Sequence, residues 1–66
     1  MWAIYAVVGR WQEDGFHTRS VPTFYLDENV QGIVSEEHAI EIATEVVNPF
    51  GDLECNITAV RVVTED

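Results

Sequence analysis

Only one stretch of this chain has a helical period, and that limits what the fold can cover. Residues 35–47 read Ser-Glu-Glu-His-Ala-Ile-Glu-Ile-Ala-Thr-Glu-Val-Val. At about 100° per residue, Ala39, Ile40, Ile42, Ala43, Val46 and Val47 share one broad arc, while Glu37, Glu41 and Glu45 fall one above the next on the opposite side. The Ser35 hydroxyl is placed to cap the first turn, where Glu36 and Glu37 meet the positive end of the helix dipole. Asn48, which tolerates left-handed angles, and Pro49, which cannot continue the ladder, mark the end. A chain with one such helix can shield one face of a sheet and no more.

The remaining segments read as strands and turns. Residues 2–11 are apolar at both parities, with Trp2, Ile4, Ala6 and Val8 on one and Ala3, Tyr5, Val7 and Trp11 on the other. Such a strand belongs in the middle of a sheet with both faces covered. Asp14-Gly15 is a hairpin signal. Taken as a two-residue loop, it sets Val8 opposite Val21, Tyr5 opposite Phe24 and Ile4 opposite Tyr25. The second strand starts at Phe16 or His17 and ends at Leu26; Pro22, with no N–H to donate, places it at an edge. Gly32 turns the chain toward the helix, with Ile33 and Val34 tucked under its first turn as a staple. Phe50 is expected to anchor the loop after the helix. A third strand follows at residues 53–63, with a bulge expected around Ala59 and Val60. Thr64, Glu65 and Asp66 form an acidic end that is expected to fray.

Together these imply a single small α+β domain, residues 1–66. It is a three-stranded antiparallel sheet, β-β-α-β in chain order and 2-1-3 in space, with one helix packed on one face. The pairing above seats the helix on the face holding Ala3, Val7, Phe24 and Leu26. The other face then shows Trp2, Ile4, Val8, Val21 and Tyr25 to water. Monomers rarely expose a contiguous apolar patch of more than a few hundred Å², so these five residues are expected to form a homodimer interface, packed sheet to sheet or joined across strand edges. The alternative is a monomer in which Trp2, Trp11 and Phe50 fold over the patch.

Twelve acidic residues against three arginines and no lysine give a formal charge of −9. Affinity for nucleic acid comes chiefly from Lys and Arg neutralising phosphates, so direct DNA or RNA binding is not expected, and anionic lipid is repelled for the same reason. The apolar content, 47% of the chain, is too high for a disordered one. No apolar run reaches the ~20 residues that span a bilayer, and no signal peptide is recognisable. Cys55 is the only cysteine, which excludes an internal disulfide and makes a reducing cytoplasm the expected compartment.

Candidate chemistry is sparse. His38 and Glu41, three apart on the helix, supply two ligands where stable metal sites use three or four. Cys55 with a histidine would make a nucleophile and base, but it shares strand parity with Leu53 and Ile57, the setting of a buried inert thiol. There is no glycine-rich phosphate loop. No catalytic residue, metal or cofactor is expected.

The stretch Phe24-Tyr25-Leu26-Asp27, then Gln31-Gly32-Ile33-Val34-Ser35, then His38-Ala39 with Ile42-Ala43, resembles the small uncharacterised accessory proteins of actinobacterial phages. The resemblance implies a phage product acting in the host cytoplasm and carries no activity or functional residue with it. The residues themselves point to a non-enzymatic interaction protein. Glu37, Glu41 and Glu45 form an acidic ridge for a basic host or phage protein, although solvated charge on a helix exterior has the same pattern. The alternative is a structural, assembly or virion-associated protein that makes its contacts through an apolar sheet face.

Overall fold

In a computed structural model that describes residues 1–63, the first apolar run is β1 (Trp2–Gln12), followed by β2 (Gly15–Leu26). A single helical turn, α1 (Glu28–Gln31), comes next, then the long helix α2 (Glu36–Val47) and β3 (Glu54–Arg61). The sheet is antiparallel in the order β2-β1-β3. The doubly apolar strand therefore takes the centre and the proline strand an edge, where its missing donor breaks no ladder. The acidic end, Thr64, Glu65 and Asp66, lies outside the described residues.

The helix begins where its cap predicts: Ser35 Oγ accepts from the His38 N–H at 3.1 Å. Its end is built differently. Asn48 has a φ of −141°, not a left-handed one. Its side chain instead clips the next loop, donating to the Leu53 carbonyl at 2.8 Å and accepting from the Leu53 N–H at 3.2 Å. With Gly51 at a φ of 70°, those backbone bonds close the loop without help from Phe50, which is 89% exposed. Phe50 is no anchor. Of the expected staple only Ile33 is buried, and Val34 faces solvent.

The turn α1 had no periodic signal, being only four residues long. Asp27 caps it, accepting from the Asn29 N–H at 2.8 Å, and Gly32 closes it at a φ of 66°. The Met1 ammonium bonds Glu28 and holds that carboxyl below its usual range, helped by the Glu28 backbone N–H.

The hairpin departs most from the parity reading. The loop is Glu13-Asp14, with Gln12 paired to Gly15. Neither loop residue takes a positive φ; Gly15 does, at 134°. Near the turn Val8 therefore lies opposite Arg19 and Ala6 opposite Val21, but Ile4 pairs with Phe24 and Trp2 with Leu26. Between these sets one residue of β1, Tyr5, opposes two of β2, Pro22 and Thr23. This is a bulge, at the position that proline tolerates. It shifts parity by one, so Val21, Phe24 and Leu26 all join the face of Trp2, Ile4, Ala6 and Val8. No bulge occurs at Ala59 and Val60, where the β1–β3 ladder runs in unbroken register.

That realignment moves the helix. The core is Ile4, Leu26, Ile33, Ala39, Ala43 and Ala59, with Trp2, Phe24, Ile40, Ile42 and Ile57 packed around it. α2 thus sits on the Ile4 face, opposite to the expected seat. Ala39 and Ala43 let it approach closely, as the inner arc implied, and both are fully buried.

Candidate functional site

Two surfaces result, one on each side of the molecule. On the helix side, Glu37, Glu41 and Glu45 are exposed in a row along α2. The ion pairs among the described residues join Met1 to Glu28 and Arg10 to Asp52 at 2.7 Å, and His17 Nε2 lies 2.7 Å from Asp14 Oδ1. None reaches the ridge. Glutamates four apart on a helix repel by roughly 0.2–0.5 kcal/mol per pair, so the ridge is a modest local cost with no compensating partner within the described fold.

On the other side, the sheet has no helix over it. Register assigns it Ala3, Tyr5, Val7, Gly9 and Trp11 from β1, with Tyr25, Ser20, Thr18 and Phe16 from β2, and Val60, Thr58, Asn56 and Glu54 from β3. Tyr5, Val7, Tyr25 and Val60 are all more than 40% exposed. Ala3 shares this side but is too small to rise above Tyr25 and Val60, its partners on either hand. Tyr5, Val7, Ser20, Thr23, Asn56 and Thr58 border a shallow hollow of about 340 Å³. At the far end the Trp11 and Phe16 rings stack, centroids 5.1 Å apart and tilted by 35°.

Among the described residues this face carries one charge, Glu54. All three arginines lie on the helix side, since Arg10 follows the parity of Val8, Arg19 pairs with Val8 and Arg61 with Trp2. A near-neutral sheet in a chain of formal charge −9 has the composition of an interface core, depleted of charge and holding Tyr, Trp and Phe.

Of the five residues expected at a dimer interface, only Tyr25 stands on the open face, 59% exposed. Trp2, Ile4, Val8 and Val21 belong to the helix-covered side, because the bulge reversed the parity that had grouped them with Tyr25. The expected monomeric cover is also ruled out: Trp2 lies on the helix side, and Trp11 and Phe50 are among the most exposed side chains. The residues that parity missed, Val7, Val60 and Phe16, had a signal in the sequence. Val21, Phe24 and Leu26 can share a face only if one extra residue intervenes, and Pro22 marks where.

Gly9 has a specific reason to be glycine. A Cβ there would run into the Phe16 ring. Phe16 is exposed enough to swing aside, so Gly9→Ala should change stability by no more than about 1 kcal/mol, the lost ring contact being partly offset by a less flexible unfolded chain. The sensitive readout is Trp11 emission, which should shift as its ring partner leaves; an unchanged spectrum would contradict this packing.

The chemistry-bearing side chains are scattered. Cys55, half-buried, pairs with Val8 on the helix side. His38 Nδ1 accepts from the Val34 N–H at 3.3 Å, a structural use. His17 is at the hairpin tip with Asp14. Among the described residues no three His, Cys, Asp or Glu side chains are grouped to hold a metal, and no helix is long and apolar enough to cross a membrane. No family model matches the chain, and no curated protein or solved structure matches it significantly.

Proposed function

We propose that this protein is a non-enzymatic interaction protein whose acidic helix ridge docks on a basic protein. The observation that carries this reading is the row Glu37, Glu41 and Glu45, exposed and without a cationic partner in the ion pairs among the described residues. The resemblance of residues 24–43 to actinobacterial phage proteins supports an accessory role in the host cytoplasm, with a host or phage protein as partner. The near-neutral sheet face favours a second reading, a structural, assembly or virion-associated role.

The test uses a lysine-rich peptide as a cationic probe, titrated at low and physiological salt. Two double variants remove the same charge: Glu41→Gln with Glu45→Gln on the ridge, and Glu13→Gln with Asp14→Asn at the hairpin tip. Screened pairs contribute roughly 0.2–1 kcal/mol each, so the ridge variant should weaken binding about fivefold and the tip variant much less. Relief of like-charge repulsion keeps the ridge variant folded. Equal losses from both would reduce the ridge to solvated charge.

A further inference from the structure

We infer that the open sheet face is occupied by a second copy of this chain, packed face to face about a twofold axis near Val7. Three observations carry this, the last two selecting a copy over a foreign partner, and none depends on the acidic ridge.

The first is area. Folded monomers of 7.5 kDa expose about 4,200 Å², whereas this chain exposes 5029 Å². Its radius of gyration is 13.4 Å, against about 10.8 Å for a compact domain of this length. The excess of roughly 800 Å² is what each partner of a standard interface covers.

The second is charge. Two copies at −9 each repel wherever their acidic surfaces meet. They can approach only through a surface from which charge has been removed, and the open face is that surface. A foreign partner of so acidic a protein would be recognised by cationic groups, and this face offers them only Glu54.

The third is self-complementarity. Val7 is midway along β1 between Ala3 and Trp11. A twofold axis there lays the projecting Trp11 and Phe16 rings of one copy against the exposed Tyr25 and Val60 of the other, which flank the buried Ala3. One contact made twice satisfies an isologous dimer. The end of the hairpin, which runs past the last β1–β3 pair at Gly9, is then supported by the neighbouring copy.

Sedimentation velocity on the full chain, from 1 to 100 µM, tests this. The protein should sediment at twice its chain mass in the upper part of that range. Val7→Glu sets two carboxylates near the axis in place of two methyl-bearing side chains, and should raise the dimer dissociation constant at least about 100-fold, as loss of a central contact does. Val7 is already 41% exposed in the single chain, so far-ultraviolet circular dichroism should be unchanged. Val34→Glu, at an exposed valine away from the sheet, should leave the dimer intact. A single-chain mass throughout the range would overturn the inference without touching the ridge reading. So would a dimer that survives Val7→Glu, since that dimer would be joined at strand edges.

Discussion

Ile4→Ala should cost this protein about 2–5 kcal/mol of stability, while Val7→Ala on the opposite face of the same strand should be nearly harmless. Ile4 is the one large side chain that is fully buried. Around it the interior is thin: of the nine buried hydrophobic residues, Ala3, Ala6, Ala39, Ala43 and Ala59 are alanines. Truncating a buried isoleucine costs about 2–5 kcal/mol through lost transfer energy and the cavity left behind. A chain of this length holds only about 3–10 kcal/mol in total, at 0.05–0.15 kcal/mol per residue. The loss is therefore a large fraction of what exists. Val7, on the open face, leaves water incompletely in the single chain, and its truncation should cost less than about 1 kcal/mol under dilute conditions. Urea titrations followed by circular dichroism measure both. If Val7→Ala proved the more damaging, the helix would be on the wrong side of the sheet in this account.

The second large effect is expected from making the interior bigger. Ala43→Leu should destabilise the fold by about 1–3 kcal/mol through overpacking. Helix propensity cannot be the cause, since Leu is nearly as good a helix former as Ala. Ala43 and Ala39 have no exposed surface and face Ile4 and Ala59 in the core, so three added carbons must lift α2 from the sheet. Glu41→Leu, two residues away on the exposed opposite face of α2, is the control and should change stability by less than about 0.5 kcal/mol. Equal effects at the two positions would mean that the alanine arc does not set the helix–sheet spacing.

Much of the architecture was legible because its signals are local. Ser35 and Pro49 bracket α2, the two apolar parities of β1 demand the sheet centre, and Pro22 demands an edge. The helix seat was not legible by counting parity, because parity assumes an uninterrupted ladder. One bulge at Pro22-Thr23 reverses every side chain beyond it. The turn type misled separately: Asp14-Gly15 looks like a mirror-image turn, but the loop is Glu13-Asp14 and the glycine enters the strand, which slides the register by two residues and leaves the faces unchanged. Phe50 shows a different limit. Its hydrophobicity suggested burial, yet the Asn48 clip to Leu53 satisfies the loop by hydrogen bonds alone. The acidic ridge was fully legible from spacing, and its exposure on α2 adds the absence of a cationic neighbour among the described ion pairs.

Adjacent residues of β1 look in opposite directions, Val8 toward the helix side and Val7 onto the open face where a second copy is proposed to pack. Thiol labelling of Val7→Cys and Val8→Cys, each in a Cys55→Ser background, tests this directly when run at submicromolar and at 100 µM protein. Cysteine at position 8 should react slowly at both concentrations, because Val8 is buried within the single chain. Cysteine at position 7 should react quickly in dilute protein and at least tenfold more slowly when concentrated. Equal, fast labelling of position 7 at both concentrations, or faster labelling at position 8, would contradict the account.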